Sequence, residues 1–238
     1  MEQPKLYIPI SLPALASAAG ILQQEGFRLT SAAEGADYLL YPCPTPLSAM
    51  DDYFHGATII GGNLDFLNSC VNRIDLMKDP YYVATNAAIT AEAALGMILS
   101  QLTCAVAEAE ILILGWGRIG KNLTHQLRHL NAPLSVYARR QEDRAMLRSL
   151  SYTPITDARL EEALPRFRCI VNTAPASILT PEQSNLIRSD CFCLDLASVK
   201  SIPGENVLHA RGLPGRYKPE SSGKLIAETV LRHTGGAL

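Results

Sequence analysis

The stretch that decides the fold is Ile111-Leu-Ile-Leu-Gly-Trp-Gly-Arg-Ile-Gly120, an apolar run that leads directly into a Gly-x-Gly-x-x-Gly pattern. The apolar run predicts a buried strand, and the residues that follow, to about Leu130, predict a helix. In such a turn Gly115 allows the sharp bend, Gly117 lets the backbone approach a pyrophosphate, and Gly120 lets the helix pack close to the strand. The first turn of the helix presents N–H groups and the positive end of its dipole to phosphates. The stretch therefore predicts a dinucleotide-binding turn rather than an ordinary strand–turn–helix.

The next predicted strand, residues 134–138, ends in Arg139 and Arg140. In most NAD enzymes an Asp or Glu stands roughly twenty residues after the glycines and accepts hydrogen bonds from the adenosine ribose. No acid stands at this position, and two guanidinium groups offer donor forks that suit a ribose 2′-phosphate. The strand end therefore favours NADP(H) over NAD(H). The alternative is that both arginines are solvated cations at an exposed strand end.

Length and composition limit the possible classes of protein. The chain has 238 residues, 47% of them apolar, and a net charge of −2, which suits two small domains and gives no electrostatic case for nucleic acid or anionic lipid. We find neither a signal-peptide pattern nor eighteen consecutive apolar residues, so we expect a cytoplasmic protein that does not cross a membrane. None of the six cysteines forms Cys-x-x-Cys, so we expect buried thiols in a reducing compartment and no metal site.

Alternating strand and helix signals predict an α/β fold with two parallel sheets. After the glycine motif, strands are expected at 134–138, 152–155, 169–173, 191–197 and 206–210, separated by helices, as in a doubly wound Rossmann domain. Before it, strands at 5–10, 38–41 and 57–60 with helices at 12–25 and 63–76 predict a smaller, shortened flavodoxin-like domain. The expected organisation is an N-terminal substrate-side domain (1–88), a linking helix (89–108), a Rossmann domain (109–215) and a C-terminal helix (216–238) that packs back on the N-terminal domain.

Ligands of such sheets bind beyond the carboxyl ends of the strands, which directs attention to the segments that follow the predicted strands. The predicted cofactor-binding residues are Gly115, Trp116, Gly117, Arg118, Ile119, Gly120, Ala138, Arg139, Arg140, Asn172, Thr173, Ala174, Pro175, Gly212, Leu213 and Pro214. The predicted catalytic or substrate-contacting residues are Thr90, Glu92, Ser198 and Lys200. Each of these segments also has a purely structural interpretation, as a strand end, a helix cap or a tight corner. Among the histidines only His209, at a predicted strand end, is a candidate.

Several of these motifs together resemble one family. Gly115-Trp-Gly-Arg-Ile-Gly120, Asn172-Thr-Ala-Pro175, Leu194-Asp-Leu-Ala-Ser198 and Gly212-Leu-Pro-Gly215 follow one another in the order seen in the A subunit of dipicolinate synthase. The resemblance implies oxidation of dihydrodipicolinate, a small dicarboxylate, to dipicolinate with NADP, together with a flavoprotein-like B subunit. It also implies a role in sporulation, in the cytoplasm of the mother cell. Homodimerisation is the default expectation for this architecture.

Two other functions stay open at this point. One is a different NADP-dependent oxidoreductase on the same scaffold; a D-2-hydroxyacid dehydrogenase is disfavoured because Ala197 and Ser198 stand where its arginine is expected. The other is a protein that binds NADP(H) without turnover, since no acid–base pair is evident from the spacing. Turnover by the purified chain would separate these classes.

Overall fold

The computed structural model describes residues 3–49 and 56–235. It divides the chain into unit 1, Met1–Ile89 with Pro214–Leu238, and unit 2, Thr90–Leu213. The strands, in chain order, are β1 (Lys5–Tyr7), β2 (Arg28–Leu29), β3 (Tyr38–Leu40), β4 (Thr58–Gly61), β5 (Arg73–Asp75), β6 (Ile111–Leu114), β7 (Leu134–Tyr137), β8 (Thr153–Ile155), β9 (Cys169–Asn172), β10 (Phe192–Asp195) and β11 (Val207–His209). The helices are α1 (Pro13–Gln24), α2 (Pro80–Gln101), α3 (Arg118–His129), α4 (Gln141–Ser149), α5 (Asp157–Ala163), α6 (Pro181–Ser184), α7 (Leu213–Tyr217) and α8 (Pro219–Thr234).

Unit 1 is built on a five-stranded parallel sheet with the order β2-β1-β3-β4-β5, which is the flavodoxin-like order. Helix α8 packs against α1 at close range, because Gly223 lies so near α1 that a Cβ there would be 2.5 Å from the carbonyl oxygen of Ala14. Leu15 and Leu22 of α1 and Leu225 of α8 share one buried apolar cluster. The two separate segments of unit 1 therefore contribute to one core.

Two predictions for the first hundred residues were wrong in detail. The sheet has five strands, two more than the sequence located: β2 has only two residues, and β5 is Arg-Ile-Asp, a mostly polar stretch inside the segment predicted as a helix. The helix predicted at 63–76 does not form. Asn63 adopts the left-handed conformation with φ of 61°, and only a 3₁₀ turn, Leu64–Phe66, follows it before β5. The polar run Asn68-Ser-Cys-Val-Asn72 favours turns over a helix, because Asn and Ser side chains compete for backbone groups.

Unit 2 is a doubly wound Rossmann domain. Its six parallel strands lie in the order β11-β10-β9-β6-β7-β8, so the direction of winding reverses beside β6. Helices α2, α3 and α4 bury Ile98, Leu127 and Leu147 in a cluster on one face of the sheet. Helix α5 buries Leu160 and Ala163 in the cluster on the other face. The strand that precedes the glycine motif is thus central, and all four of its residues are fully buried.

The helix predicted to begin at residue 89 begins nine residues earlier, at Pro80, and ends at Gln101. Proline is well tolerated in the first turn of a helix, because the N–H groups there have no hydrogen-bond acceptor within the helix. Helix α2 is the one helix in the described part of the chain that is long and apolar enough to cross a membrane by length and composition, with a mean hydropathy of 1.3. Ala91, Ala94 and Ile98 of this helix are fully buried in the core of unit 2.

Candidate functional site

The carboxyl ends of the unit 2 strands bring the predicted motifs to one edge of the sheet. Leu114, the last residue of β6, is in register with Tyr137 of β7 and Asn172 of β9. Asp195, the last residue of β10, is in register with Asn172 and with His209 of β11. The glycine turn and the segments after β7, β9 and β10 therefore begin side by side. This is the edge at which parallel α/β sheets bind their ligands.

The glycine turn has the geometry that its sequence predicts. Gly115 has a φ of +107°, a conformation that side chains disfavour. Gly120, in the first turn of α3, is packed so tightly that a Cβ would lie 2.4 Å from the carbonyl oxygen of Gly115. The Thr173 hydroxyl donates to the carbonyl of Leu114 at 3.1 Å. The segment after β9 thus holds the turn in place.

The space around Gly117 is open. Gly117 has an ordinary φ of −83° as the N-cap of α3, and a Cβ placed there would meet no atom within 4 Å. The fold of unit 2 therefore does not require a glycine at this position. The close approach of a phosphate to the backbone would require one, because a side chain would stand in its way. Arg118 is exposed and Ile119 is half-buried in the first turn of α3, whose N–H groups are available to an anion.

The two arginines after β7 have different surroundings. Arg140 forms a two-bond ion pair with Asp143, from Nε at 2.8 Å and from an Nη at 3.0 Å, beside the N-terminus of α4. Arg139 is exposed, and within residues 3–49 and 56–235 its side chain has no ion-pair partner. Ala138 is buried and its carbonyl accepts a hydrogen bond from Arg144 at 3.0 Å. The guanidinium of Arg139 is therefore the one available to a ligand at this strand end.

The segment after β9 is tied down by the side chain of Asn172, which is fully buried. Its amide nitrogen donates to Asp195 at 2.8 Å and to the carbonyl of Ala174 at 3.1 Å, and its amide oxygen accepts from the backbone N–H of Ala174 at 3.2 Å. Ala174 is half-buried and Pro175 is exposed. Asn172 therefore shapes the loop, while the residues after it form the accessible surface.

Asp195 is 1% exposed and serves as an anchor for the loop that follows β10. Besides Asn172, its carboxylate accepts backbone N–H groups from Ala197 at 3.1 Å, Ser201 at 2.7 Å and Ile202 at 3.3 Å. A buried carboxylate is stable only when it is paired or hydrogen-bonded in this way. The loop it anchors exposes Ser198 and Lys200 at its tip, so these two predicted residues are accessible.

His209 is the one group at this edge that the sequence indicated only weakly. Its Nδ1 lies 3.4 Å from Asp195, and about a quarter of its side chain is exposed. The pairing in register of β10 with β11 brings the two side chains together. Nothing in the sequence alone signals this contact, because the two residues lie fourteen positions apart with an irregular loop between them.

Trp116 packs against Tyr152, with ring centroids 5.8 Å apart. With Met146 and Leu150 it lines an open groove of about 440 Å³ beside α3 and α4.

The remaining predicted residues lie on α2 and before α7. Thr90 is buried and Glu92 is exposed on α2. Gly212 has a φ of +63° directly before α7, Leu213 is buried in unit 2, and Pro214 is buried as the first residue of the second segment of unit 1.

Comparisons with known proteins bear on the class of the cofactor. Residues 97–194 match the model of the NAD binding domain of D-isomer specific 2-hydroxyacid dehydrogenases, which supports an oxidoreductase that uses a nicotinamide dinucleotide. The chain is 24% identical over 153 residues to the A subunit of dipicolinate synthase from Bacillus subtilis strain 168. That match covers 61% of this chain and 52% of the relative, so it spans about half the relative's length.

Solved structures resemble the whole chain. The A subunit of dipicolinate synthase from Bacillus halodurans aligns over 100% of both chains with a TM-score of 0.82 and 17% identity. The corresponding chain from Bacillus subtilis aligns over 99% of this chain and 96% of its own length, with a TM-score of 0.80 and 17% identity. The resemblance that the motifs indicate is confirmed, and the α/β fold with it.

Proposed function

We propose that this chain is the A subunit of a dipicolinate synthase, which oxidises dihydrodipicolinate to dipicolinate with NADP. The observation that carries the proposal is the combination of the glycine turn before α3 with an exposed arginine, and no acid, directly after β7. The similarity to the A subunits of two dipicolinate synthases supports the substrate. The nicotinamide would accept the hydride, and the second hydrogen would leave as a proton as the ring becomes aromatic.

The chain's own residues have distinct roles in this proposal. Gly117 and the first turn of α3 bind the pyrophosphate, and Arg139 binds the 2′-phosphate. Arg140 is committed to Asp143 and contributes mainly by holding the N-terminus of α4. Asn172 and Thr173 keep the segment after β9 in place, with Ala174 and Pro175 facing the cofactor. Gly212, Leu213 and Pro214 complete the cofactor contacts.

Substrate binding requires donors for two carboxylates. Ser198 and Lys200, exposed on the loop anchored by Asp195, are suited to this task. Thr90 and Glu92 of α2 are proposed as further substrate contacts. His209 is proposed as the proton acceptor, because Asp195 lies beside its Nδ1 and orients Nε2 away from the carboxylate.

The cofactor choice is tested by binding. Arg139→Ala should weaken NADPH binding by about 10- to 100-fold, the value of one or two hydrogen bonds to a charged group, and should leave NADH binding nearly unchanged. Arg140→Ala is the matched control and should have the smaller effect. Equal losses for NADPH and NADH in Arg139→Ala would contradict the assignment of the 2′-phosphate.

The reaction is tested with dihydrodipicolinate and NADP, using the chain alone and with a flavoprotein-like second subunit. The appearance of dipicolinate and NADPH as products would support the proposal. The relatives are themselves the A subunits of a synthase, which supports such a partner. Homodimerisation and a place in the mother-cell cytoplasm of a sporulating bacterium belong to the same proposal.

A second candidate is a protein that binds NADP(H) without turnover. It is favoured by the use of Asp195, the buried carboxylate at the sheet edge, as a structural anchor rather than a base. Tight NADPH binding without turnover, with or without the second subunit, would select this candidate.

A further inference from the structure

Cys191 and Cys193 place two thiols beside each other on one face of the unit 2 sheet. Cys191 precedes β10 and Cys193 lies within it, and side chains two residues apart on a strand point to the same face. Their sulfurs are 4.0 Å apart. Both belong to the apolar cluster on the face that packs against α5, whereas Trp116 and α3 lie on the other face. The pair is therefore separate from the glycine turn and the residues proposed to bind the dinucleotide.

The two thiols line a cavity of about 130 Å³. Arg188, Glu205 and Val207 are among its other lining residues. Cys191 is 9% exposed and Cys193 is 5% exposed, so both are largely removed from water. Cys169 of the neighbouring strand is fully buried and packs in the cluster on the opposite face. Two thiols, and not three, therefore face the cavity.

We propose that Cys191 and Cys193 form a two-coordinate site for a soft metal ion of the monovalent copper type. With metal–sulfur bonds of about 2.3 Å, two thiolates on one metal lie about 3.8 Å apart in a tetrahedral site and about 4.6 Å apart on opposite sides of a two-coordinate ion. The observed separation lies between these values, so small side-chain rotations suffice for binding.

The number and the type of the ligands favour monovalent copper over zinc. In residues 3–49 and 56–235 no three His, Cys, Asp or Glu side chains are close enough to hold an ion together. Structural zinc needs four ligands, whereas monovalent copper prefers soft thiolates and accepts two. Binding forms two copper–sulfur bonds and releases two protons to solvent, with no change of oxidation state, so the complex carries one net negative charge.

The cavity holds charges of both signs. Arg188 lines it and also pairs with Asp190, and Glu205 lines it as well. The separation and the softness of the two sulfurs, rather than a positive environment, therefore carry the assignment of the metal.

The proposal is tested by anaerobic titration of the full chain with monovalent copper against the competing chelator bicinchoninate. The wild-type chain should withdraw one equivalent of copper. Cys191→Ser and Cys193→Ser should each bind at least about 100-fold more weakly, because the second ligand on the same chain is lost. Cys70→Ser, which removes an exposed thiol, is the matched control and should bind as the wild type does. Wild-type affinity in either cavity variant, or no withdrawal by the wild type, would overturn the proposal.

A second measurement needs no variant and so does not depend on how well the serine variants fold. Because both thiols are nearly buried and react only when the structure opens locally, the rate of their alkylation by iodoacetamide is followed over time, with the modified residues identified by mass spectrometry. Bound copper should slow the alkylation of Cys191 and Cys193 of the wild-type chain. Cys70 should be alkylated equally with and without copper. An unchanged rate of alkylation at both cavity thiols would also overturn the proposal. This outcome does not depend on which nucleotide the chain binds.

Discussion

Replacing Gly120 by alanine tests the packing of the glycine turn most directly. The new Cβ would lie 2.4 Å from the carbonyl oxygen of Gly115 and 2.9 Å from the hydroxyl of Thr173. Ordinary contact needs about 1 Å more than the first of these distances. The colliding oxygen belongs to the backbone of the turn, and the threonine that would also have to move holds that turn by its hydrogen bond to Leu114. Relief of the clash therefore displaces the proposed phosphate site.

Two opposing effects set the change in the free energy of unfolding that Gly120→Ala should cause. Overpacking a well-filled site costs about 1–3 kcal/mol, and alanine recovers up to about 1 kcal/mol over glycine inside a helix. We expect Gly120→Ala to lower the free energy of unfolding by about 1–2 kcal/mol. That corresponds to a melting temperature lower by about 3–8 °C for a unit of this size. NADPH affinity should fall together with stability, because one displacement causes both losses.

Gly117→Ala is the matched control, since its Cβ would meet nothing within 4 Å and its φ is ordinary. It should change the stability by less than about 1 kcal/mol but should weaken NADPH binding by at least tenfold, because the methyl group occupies the path of the pyrophosphate. The assays are thermal unfolding followed by circular dichroism and titration with NADPH. A Gly120→Ala chain that melts at the wild-type temperature would refute the packing argument. Undiminished NADPH affinity in Gly117→Ala would refute the placement of the pyrophosphate.

Three further predictions concern stability. Asp195→Asn should lower the free energy of unfolding in urea by about 2–4 kcal/mol, because an amide group cannot accept all of the N–H donors around it. Asp79 accepts hydrogen bonds from the backbone of Tyr82 and from His233 and Arg232 of α8, and these outweigh burial, so the pKa of Asp79 lies below its ordinary value. The stabilisation of the folded chain by ionised Asp79 is complete above the ordinary carboxyl pKa and is lost as the pH falls through the lower pKa of the folded state. Asp79→Asn should therefore be less stable than the wild type at pH 7. The difference in the free energy of unfolding should shrink below about pH 4. Gly223→Ala should cost about 1–3 kcal/mol, since its Cβ would lie 2.5 Å from α1.

Each of these predictions has a control. Gly20→Ala, on α1 where a Cβ meets nothing within 4 Å, should stabilise the chain by up to about 1 kcal/mol. Asp190→Asn, at an exposed ion pair, should change stability far less than Asp195→Asn. A constant gap between the wild type and Asp79→Asn from pH 7 to pH 3 would contradict the linkage argument. Equal stabilities of Gly223→Ala and Gly20→Ala would contradict the close packing of α1 on α8.

The sequence predicted the centre of unit 2 well, because its signals there are local. The apolar run at β6, the three glycines and the strand ends at Asn172 and Asp195 each reflect the conformation of a few adjacent residues. Helix α2 was placed nine residues late although its start is signalled locally: Asp79 accepts the backbone N–H of Tyr82 at 2.7 Å and Pro80 follows it in the first turn. Strand β2 was missed because it has only two residues, and strand β5 because two of its three residues are charged.

The site was less predictable than the fold, because side-chain partners depend on long-range geometry. Asp195 is recognisable in sequence as a buried acid, but its backbone donors come from a loop whose path the sequence does not reveal. The contact of His209 with Asp195 depends on the register of two strands. The pairing of Arg140 with Asp143 is an exception: a spacing of three residues at a helix start is a local signal, and it distinguishes the two arginines.

The division of unit 1 into two segments has a consequence for synthesis on the ribosome. Helix α1 ends at Gln24, and its partner α8 begins only at Pro219. At a translation rate of about 5–20 residues per second, the apolar face of α1 waits roughly 10–40 s for that partner. All of unit 2 emerges during this interval and is able to fold first. The apolar residues of α1 that pack against α8 therefore stay uncovered by α8 until synthesis is almost finished.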